Sequence, residues 1–285
     1  MNTESRRLLL TIGVIVVVIV GGYAALISYT GSTVPFSSVV SESMQHDNHE
    51  SQIGVIDTGD IVLVQDPEKA DIQSYIEGVG TRYQSFGSYG SVIIYNRDGQ
   101  NPVIHRAMLW LDYNGDGTWS APDLVNIQGT WYYEYTQVND TGEEVVVRGT
   151  DPTKIQGILR FTDLDGKQPY IDLDSLQVKK SGFLTMGDNP ETNLNFDQQS
   201  GIVNHLIGYE DIKSVAVLEI PWMGTLKLLI NGSDNLSHVP NSLPSLIMEI
   251  VLVFSALLLL DFITVFRFHR RNETEIARTL QWKRT

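Results

Sequence analysis

The chain has 285 residues, a formal net charge of −14 from 34 Asp and Glu against 20 Lys and Arg, and no cysteine. That length allows one sizeable domain plus membrane segments. The lack of cysteine excludes disulfides, thiolate metal sites and a cysteine nucleophile. The acidic balance argues against nucleic acid as a partner.

Leu8 to Ile27 is a run of twenty residues without a charge, about 30 Å as a helix, enough to span a hydrocarbon core. Arg6 and Arg7 precede it, so the positive-inside rule places residues 1–7 in the cytoplasm. The run is long for a cleaved signal peptide and no clean small-x-small site follows it, so an uncleaved signal anchor is expected. A serine-rich linker follows, containing Ser37, Ser38, Ser41 and Ser43.

From there to Ser245 the pattern predicts mostly antiparallel β structure. Asp60–Gln65, Ser91–Tyr95 and Val103–Met108 are short β-branched runs bounded by Gly, Pro, Asn or Asp. Trp131–Tyr135 and Glu144–Arg148 flank Asn139-Asp140-Thr141-Gly142 and predict a hairpin. Ser214–Ile220 and Thr225–Ile230 predict another across a Pro-containing turn. Lys69 to Tyr89 is polar and rich in Gly, Ser and Tyr, and reads as a loop or short irregular helix. Leu246 to Phe266 is a second apolar run, with Glu249 and Asp261 toward its ends. Arg267, His269, Arg270 and Arg271 follow at once, which marks a cytoplasmic flank. The expected topology is a two-pass membrane protein with residues 28–245 outside and residues 1–7 and 267–285 inside. The external part carries 12 Lys and Arg against 29 Asp and Glu, which argues against broad docking onto anionic lipid.

Serine, histidine and aspartate occur in that order at Ser43, His105 and Asp188 or Asp197. A serine hydroxyl needs a base to take its proton, and the base needs a carboxylate to orient it. Ser43 lies a short linker beyond the first apolar run, at a membrane surface. His105 sits in Val103-Ile104-His105-Arg106, and the acids sit in Gly187-Asp188-Asn189 and Asn195-Phe196-Asp197. His46, His49, His205, His238 and His269 lack an equivalent context and read as structural or exposed.

These segments resemble the type I signal peptidases of the archaeal and endoplasmic-reticulum branch. The matching boxes are Ser41-Glu42-Ser43-Met44, Gly59-Asp60-Ile61-Val62, Val103–Arg106, Gly187-Asp188-Asn189 and Ile220-Pro221-Trp222-Met223-Gly224. They cover about Ser38 to Gly224, interrupted by an unmatched stretch after Arg106. The resemblance implies a signal-peptidase-like antiparallel β domain with an inserted β-rich subdomain at about 112–180, flanked by two transmembrane helices. It implies a Ser43 nucleophile, a His105 general base where the bacterial branch has lysine, and Ser41 helping the Ser43 amide to form the oxyanion hole. Asp197 is expected to orient His105 with Asp188 as a supporting acid, the two roles being open to exchange. It further implies cleavage of exported preproteins after small residues, with signal peptides, membrane lipid and the secretion translocon as partners. His46 stands where the family usually has proline, and Met186 and Pro190 also depart from its pattern.

Asp112-Tyr113-Asn114-Gly115-Asp116-Gly117, with Ser120 and Asp123, places oxygen side chains and a glycine at calcium-loop spacing. A structural calcium ion at Asp112, Asn114, Asp116 and Asp123, or a plain acidic turn between strands, both fit. Catalysis by serine and histidine requires no cofactor. The competing functional class is a noncatalytic, calcium-stabilised surface domain that keeps the peptidase fold.

Overall fold

The computed structural model describes residues 3–97, 99–232, 236–237 and 239–282. His238 and the side chains of Arg7, Arg267, His269, Arg270 and Arg271 lie outside the described residues. In chain order, α1 (Thr3–Thr30) leads to β1 (Phe36–Ser38) and β2 (Ile61–Gln65). α2 (Tyr75–Thr81), β3 (Gln84–Ser85) and β4 (Ser88–Tyr89) precede β5 (Val92–Arg97) and the long β6 (Gln100–Tyr113). β7 (Trp119–Ser120), β8 (Trp131–Val138), β9 (Glu144–Gly149), β10 (Ile158–Phe161) and β11 (Tyr170–Asp172) follow. β12 (Gly182–Met186), β13 (Ile212–Ile220), α3 (Thr225–Asn231) and α4 (Ser242–Trp282) complete the chain.

The main sheet runs β1-β2-β13-β5-β6-β12, with β7 paired to β6, and a second sheet runs β11-β10-β8-β9. Both are antiparallel throughout. β5 is central, and Val92, Ile93, Ile94 and Tyr95 are all buried, as a strand covered on both faces requires. The β8–β9 hairpin forms as the sequence predicts. Asn139 Oδ1 accepts from the backbone N–H groups of Thr141 and Glu143 at 3.0 and 2.8 Å and closes its turn. Within the 69–89 segment, Ser74 caps α2 by accepting from Glu77 N–H at 3.1 Å.

The second sheet, formed by residues of the unmatched stretch, shares its core with the first. Leu109 and Leu184 of the main sheet cluster with Trp131 and Leu159 of the second and with Trp119 and Phe196. Each such side chain contributes about 1.5–3 kcal/mol by leaving water, so the two sheets stabilise one another.

The hairpin expected of Ser214–Ile220 with Thr225–Ile230 does not form: Thr225–Asn231 is helix α3. β2 pairs Val215–Ile220 on one edge of β13 and β5 pairs Ile212–Ala216 on the other, so Val215 and Ala216 have no free edge for a further strand. Gly224 packs against the Gly59 and Asp60 carbonyls, where a Cβ would clash, and the Leu-rich segment after it turns into a helix.

α1 and α4 contain apolar stretches, Leu9–Thr30 and Ser242–Phe266, long enough to cross a membrane. They extend beyond the expected 8–27 and 246–266 at their domain-facing ends.

Candidate active site

Ser43 is held by what surrounds it in sequence. Met44 is fully buried beside Val39, Ile56 and Val62, which fixes the segment to the β1–β2 side of the sheet. The Asn189 N–H donates to the Ser43 carbonyl at 3.0 Å, and Asn189 Nδ2 donates to the Glu42 carbonyl at 2.8 Å. Gly187 is required here because any Cβ would collide with the Ser43 carbonyl. Ser43 Oγ lies 3.3 Å from Ser41 Oγ.

His105 lies on β6 opposite Ile93 of β5 and is 2% exposed. Its Nδ1 lies 2.7 Å from Asp197 Oδ2 and 2.8 Å from Oδ1. Asp197 has no solvent exposure and also accepts from Tyr95 Oη at 2.7 Å and Thr185 Oγ1 at 2.6 Å. Burial pushes the Asp197 carboxyl up, but the adjacent His105 and the hydrogen bonds from His105, Thr185 and Tyr95 outweigh it and hold it below the usual carboxylate range. Burial, then the Asp197 charge, pushes the Tyr95 phenol up, so it stays a donor. With Nδ1 committed to Asp197, Nε2 is the nitrogen left for proton transfer.

Asp188 does not meet His105. Its Oδ1 and Oδ2 accept from Arg106 Nε and Nη2 at 2.8 and 2.5 Å, a bidentate pair with both side chains buried. Arg106 Nη1 also donates to the Ser85, Tyr89 and Gly90 carbonyls at 3.0, 3.1 and 3.0 Å. His105 and Arg106 point to opposite faces of β6, and the two aspartates divide accordingly.

Ser41, Ser43 and His105 line one groove of about 1020 Å³, with Ser32, Thr33, Val34 and Phe36 just after α1 also lining it. Ser43 Oγ bonds Ser41 Oγ, and no hydrogen bond joins Ser43 to His105.

Gly59-Asp60 and Ile220–Gly224 meet one another. Asp60 Oδ1 accepts from Trp222 N–H at 2.8 Å and Oδ2 from Asp57 N–H at 2.7 Å. Asp57 is raised by burial, and burial pushes Asp60 and Glu219 up to about 7.

The turn from Asp112 to Ser120 closes through its own side chains. Trp110 Nε1 donates to Asp112 Oδ1 at 2.7 Å, Thr118 N–H and Oγ1 to Asp116 Oδ1 at 3.0 and 2.7 Å, and Ser120 Oγ to Asn114 Oδ1 at 3.2 Å. The Thr118 bonds lower the Asp116 pKa, while burial and then Asp112 raise that of Asp123. Among the described residues no three His, Asp or Glu converge to hold a metal ion.

Sequence reasoning missed Tyr95, Thr185, Asn189 and the Arg106 role. Arg106 carried a readable signal, since an arginine inside an apolar strand must find a buried acid. Comparison with protein-family models, curated proteins and solved structures finds no match for this chain.

Proposed function

We propose that this chain is a membrane-anchored serine endopeptidase of the signal-peptidase type, which cleaves signal peptides from exported preproteins. The observation that carries the reading is the buried His105–Asp197 pair on the wall of the groove that also holds Ser43 and Ser41. In this mechanism Ser43 Oγ attacks the scissile carbonyl carbon while His105 Nε2 takes its proton. Asp197 keeps the proton on Nδ1 and stabilises the imidazolium, and the Tyr95 and Thr185 hydroxyls keep Asp197 ionised in its dry site. The Ser43 amide and Ser41 hydroxyl stabilise the oxyanion. His105 then protonates the leaving amine, and water releases the acyl group by the reverse sequence.

The groove lining at Ser32, Thr33, Val34 and Phe36 begins two residues after α1 ends. That suits a peptide bond just outside a substrate's own apolar segment. Recognition of small residues at −1 and −3, and delivery by the secretion translocon within the lipid bilayer, follow from the family resemblance. The test is a cleavage assay with full-length protein in lipid vesicles, using a preprotein substrate and comparing wild type with Ser43→Ala. Processing by Ser43→Ala at a near wild-type rate would sink the reading.

A further inference from the structure

Lys167 comes from the second sheet, at the tip of the β10–β11 hairpin. Asp165 and Gly166 have φ of +57° and +73°, and the Leu164 and Lys167 backbones bond reciprocally at 2.8 and 3.1 Å. This is the tight Asp-Gly turn whose twist matches antiparallel strands. The tip is tied to the α2–β4 side, since the Asp165 carboxylate accepts from Tyr75 Oη and Ser88 Oγ, each at 3.4 Å.

Lys167 is only 7% exposed. Its Nζ donates to three consecutive carbonyls, those of Gly187, Asp188 and Asn189, at 2.9, 3.1 and 3.2 Å. An ammonium has three donors and no acceptor, so all three donors are used and there is no lone pair to act as a base. Burial pushes its pKa down, opposed by the Asp188 and Asp165 charges. A neutral amine would have two N–H groups for these three carbonyls, whereas the ammonium has one for each.

The segment so gripped is the one that holds Ser43. Its Asn189 N–H bonds the Ser43 carbonyl, and its Asp188 carboxylate bonds Arg106, next to His105 on β6. The 187–189 segment therefore bridges the serine side and the histidine side, and Lys167 fixes its height from behind.

We propose that Lys167 is a positioning residue for the active site: its ammonium sets the 187–189 backbone, and through it the placement of Ser43 against His105. This rests on the peptidase reading of Ser43. The second sheet is thereby a working part of the active site, and its hairpin tip is where a change in that sheet would reach catalysis.

The test uses the full-length protein in vesicles, with Lys167→Met and Lys167→Arg assayed well below the melting temperature of each. Arginine keeps the charge, but its planar fork cannot reproduce a tripod onto three convergent carbonyls. Both variants are expected to lose about 10- to 100-fold in kcat with KM changed by less than about twofold, since misplacing a reacting group by about 1 Å costs this much. Labelling of Ser43 by a fluorophosphonate should slow in parallel. Wild-type kcat and labelling in Lys167→Arg would overturn the proposal, including when Lys167→Met fails to fold. A loss that appears only in KM would overturn it too. Ser43→Ala is the control: if it still cleaves, the peptidase reading fails, whereas an inactive Ser43→Ala beside fully active Lys167 variants removes only the positioning role.

Discussion

Asp197 holds His105 through Nδ1 at 2.7 Å from a site without solvent exposure, while Asp188, nine residues earlier, holds Arg106 on the opposite face of the same strand. Two acids interchangeable in sequence thus have different neighbours and different expected phenotypes. Asp197→Asn should lower kcat by about 10⁴, because an amide can stabilise the wrong histidine tautomer and cannot stabilise the imidazolium. Asp188→Asn should instead destabilise the fold by about 3–5 kcal/mol by stripping a buried guanidinium of its charge partner. Kinetics and denaturant midpoints on both variants check this. The assignment fails if Asp188→Asn is the catalytic defect and Asp197→Asn the unstable protein.

Ser43→Ala should abolish cleavage, by about four orders of magnitude or more, with an unchanged melting curve. The hydroxyl is half-buried beside an open groove, and its hydrogen-bond partner is the exposed Ser41, so its removal leaves no buried group orphaned.

His105→Lys should not restore a working base. Asp197 would stand beside the new ammonium and favour its charged form, leaving little free amine near neutral pH. Robust cleavage by this variant across pH 6–8 would count against His105 as the base.

Stability should fall between pH 5 and pH 8. Glu219 and Asp60 have folded-state pKa values raised to about 7 by burial, above the ~4 of an unfolded chain. An acid raised in the folded state contributes stability that is fully present below about pH 4 and is lost as pH rises through about 7. Asp197, held low, acts oppositely: its contribution is present above about pH 4 and lost on further acidification. Urea midpoints at pH 5 and 8 measure the fall, and Glu219→Gln should reduce it. A full-sized fall in Glu219→Gln would assign the effect elsewhere.

The turn at Asp112–Ser120 is closed by hydrogen bonds from Trp110, Thr118 and Ser120. Added calcium or EDTA is therefore expected to leave the melting temperature of the external domain unchanged. A rise with calcium that disappears in Asp116→Ala would instead establish a calcium site there.

Topology is checked by a membrane-impermeant protease on intact cells. The reading of both ends as cytoplasmic expects loss of the region from Ser43 to Gly224 and protection of a tag placed after Phe266. Digestion of that tag would mean that the second apolar helix does not span.

Periodicity and composition determined the elements whose cause is local. The twenty uncharged residues from Leu8, the β-branched runs at β2, β5 and β6, and the Asn-Gly-closed β8–β9 hairpin all carry their instructions within a few residues. Ser43 and His105 stood out by their order and neighbours. What the sequence could not decide depended on which surfaces were already occupied. Thr225–Asn231 turns into a helix where Gly224 packs against the Gly59 and Asp60 carbonyls, a contact with residues far away in the chain. Asp197 rather than Asp188 reaches His105 because the segment after β12 folds back, Asp197 N–H bonding the Thr185 carbonyl at 2.8 Å, while Arg106 claims the nearer acid. Lys167 looks like an ordinary hairpin-tip lysine until the second sheet packs on the first and buries it against three carbonyls. Local residues fix φ, ψ and apolar period, whereas pairing of buried charges is settled only when tertiary contact removes water and leaves each group the partners within about 3 Å.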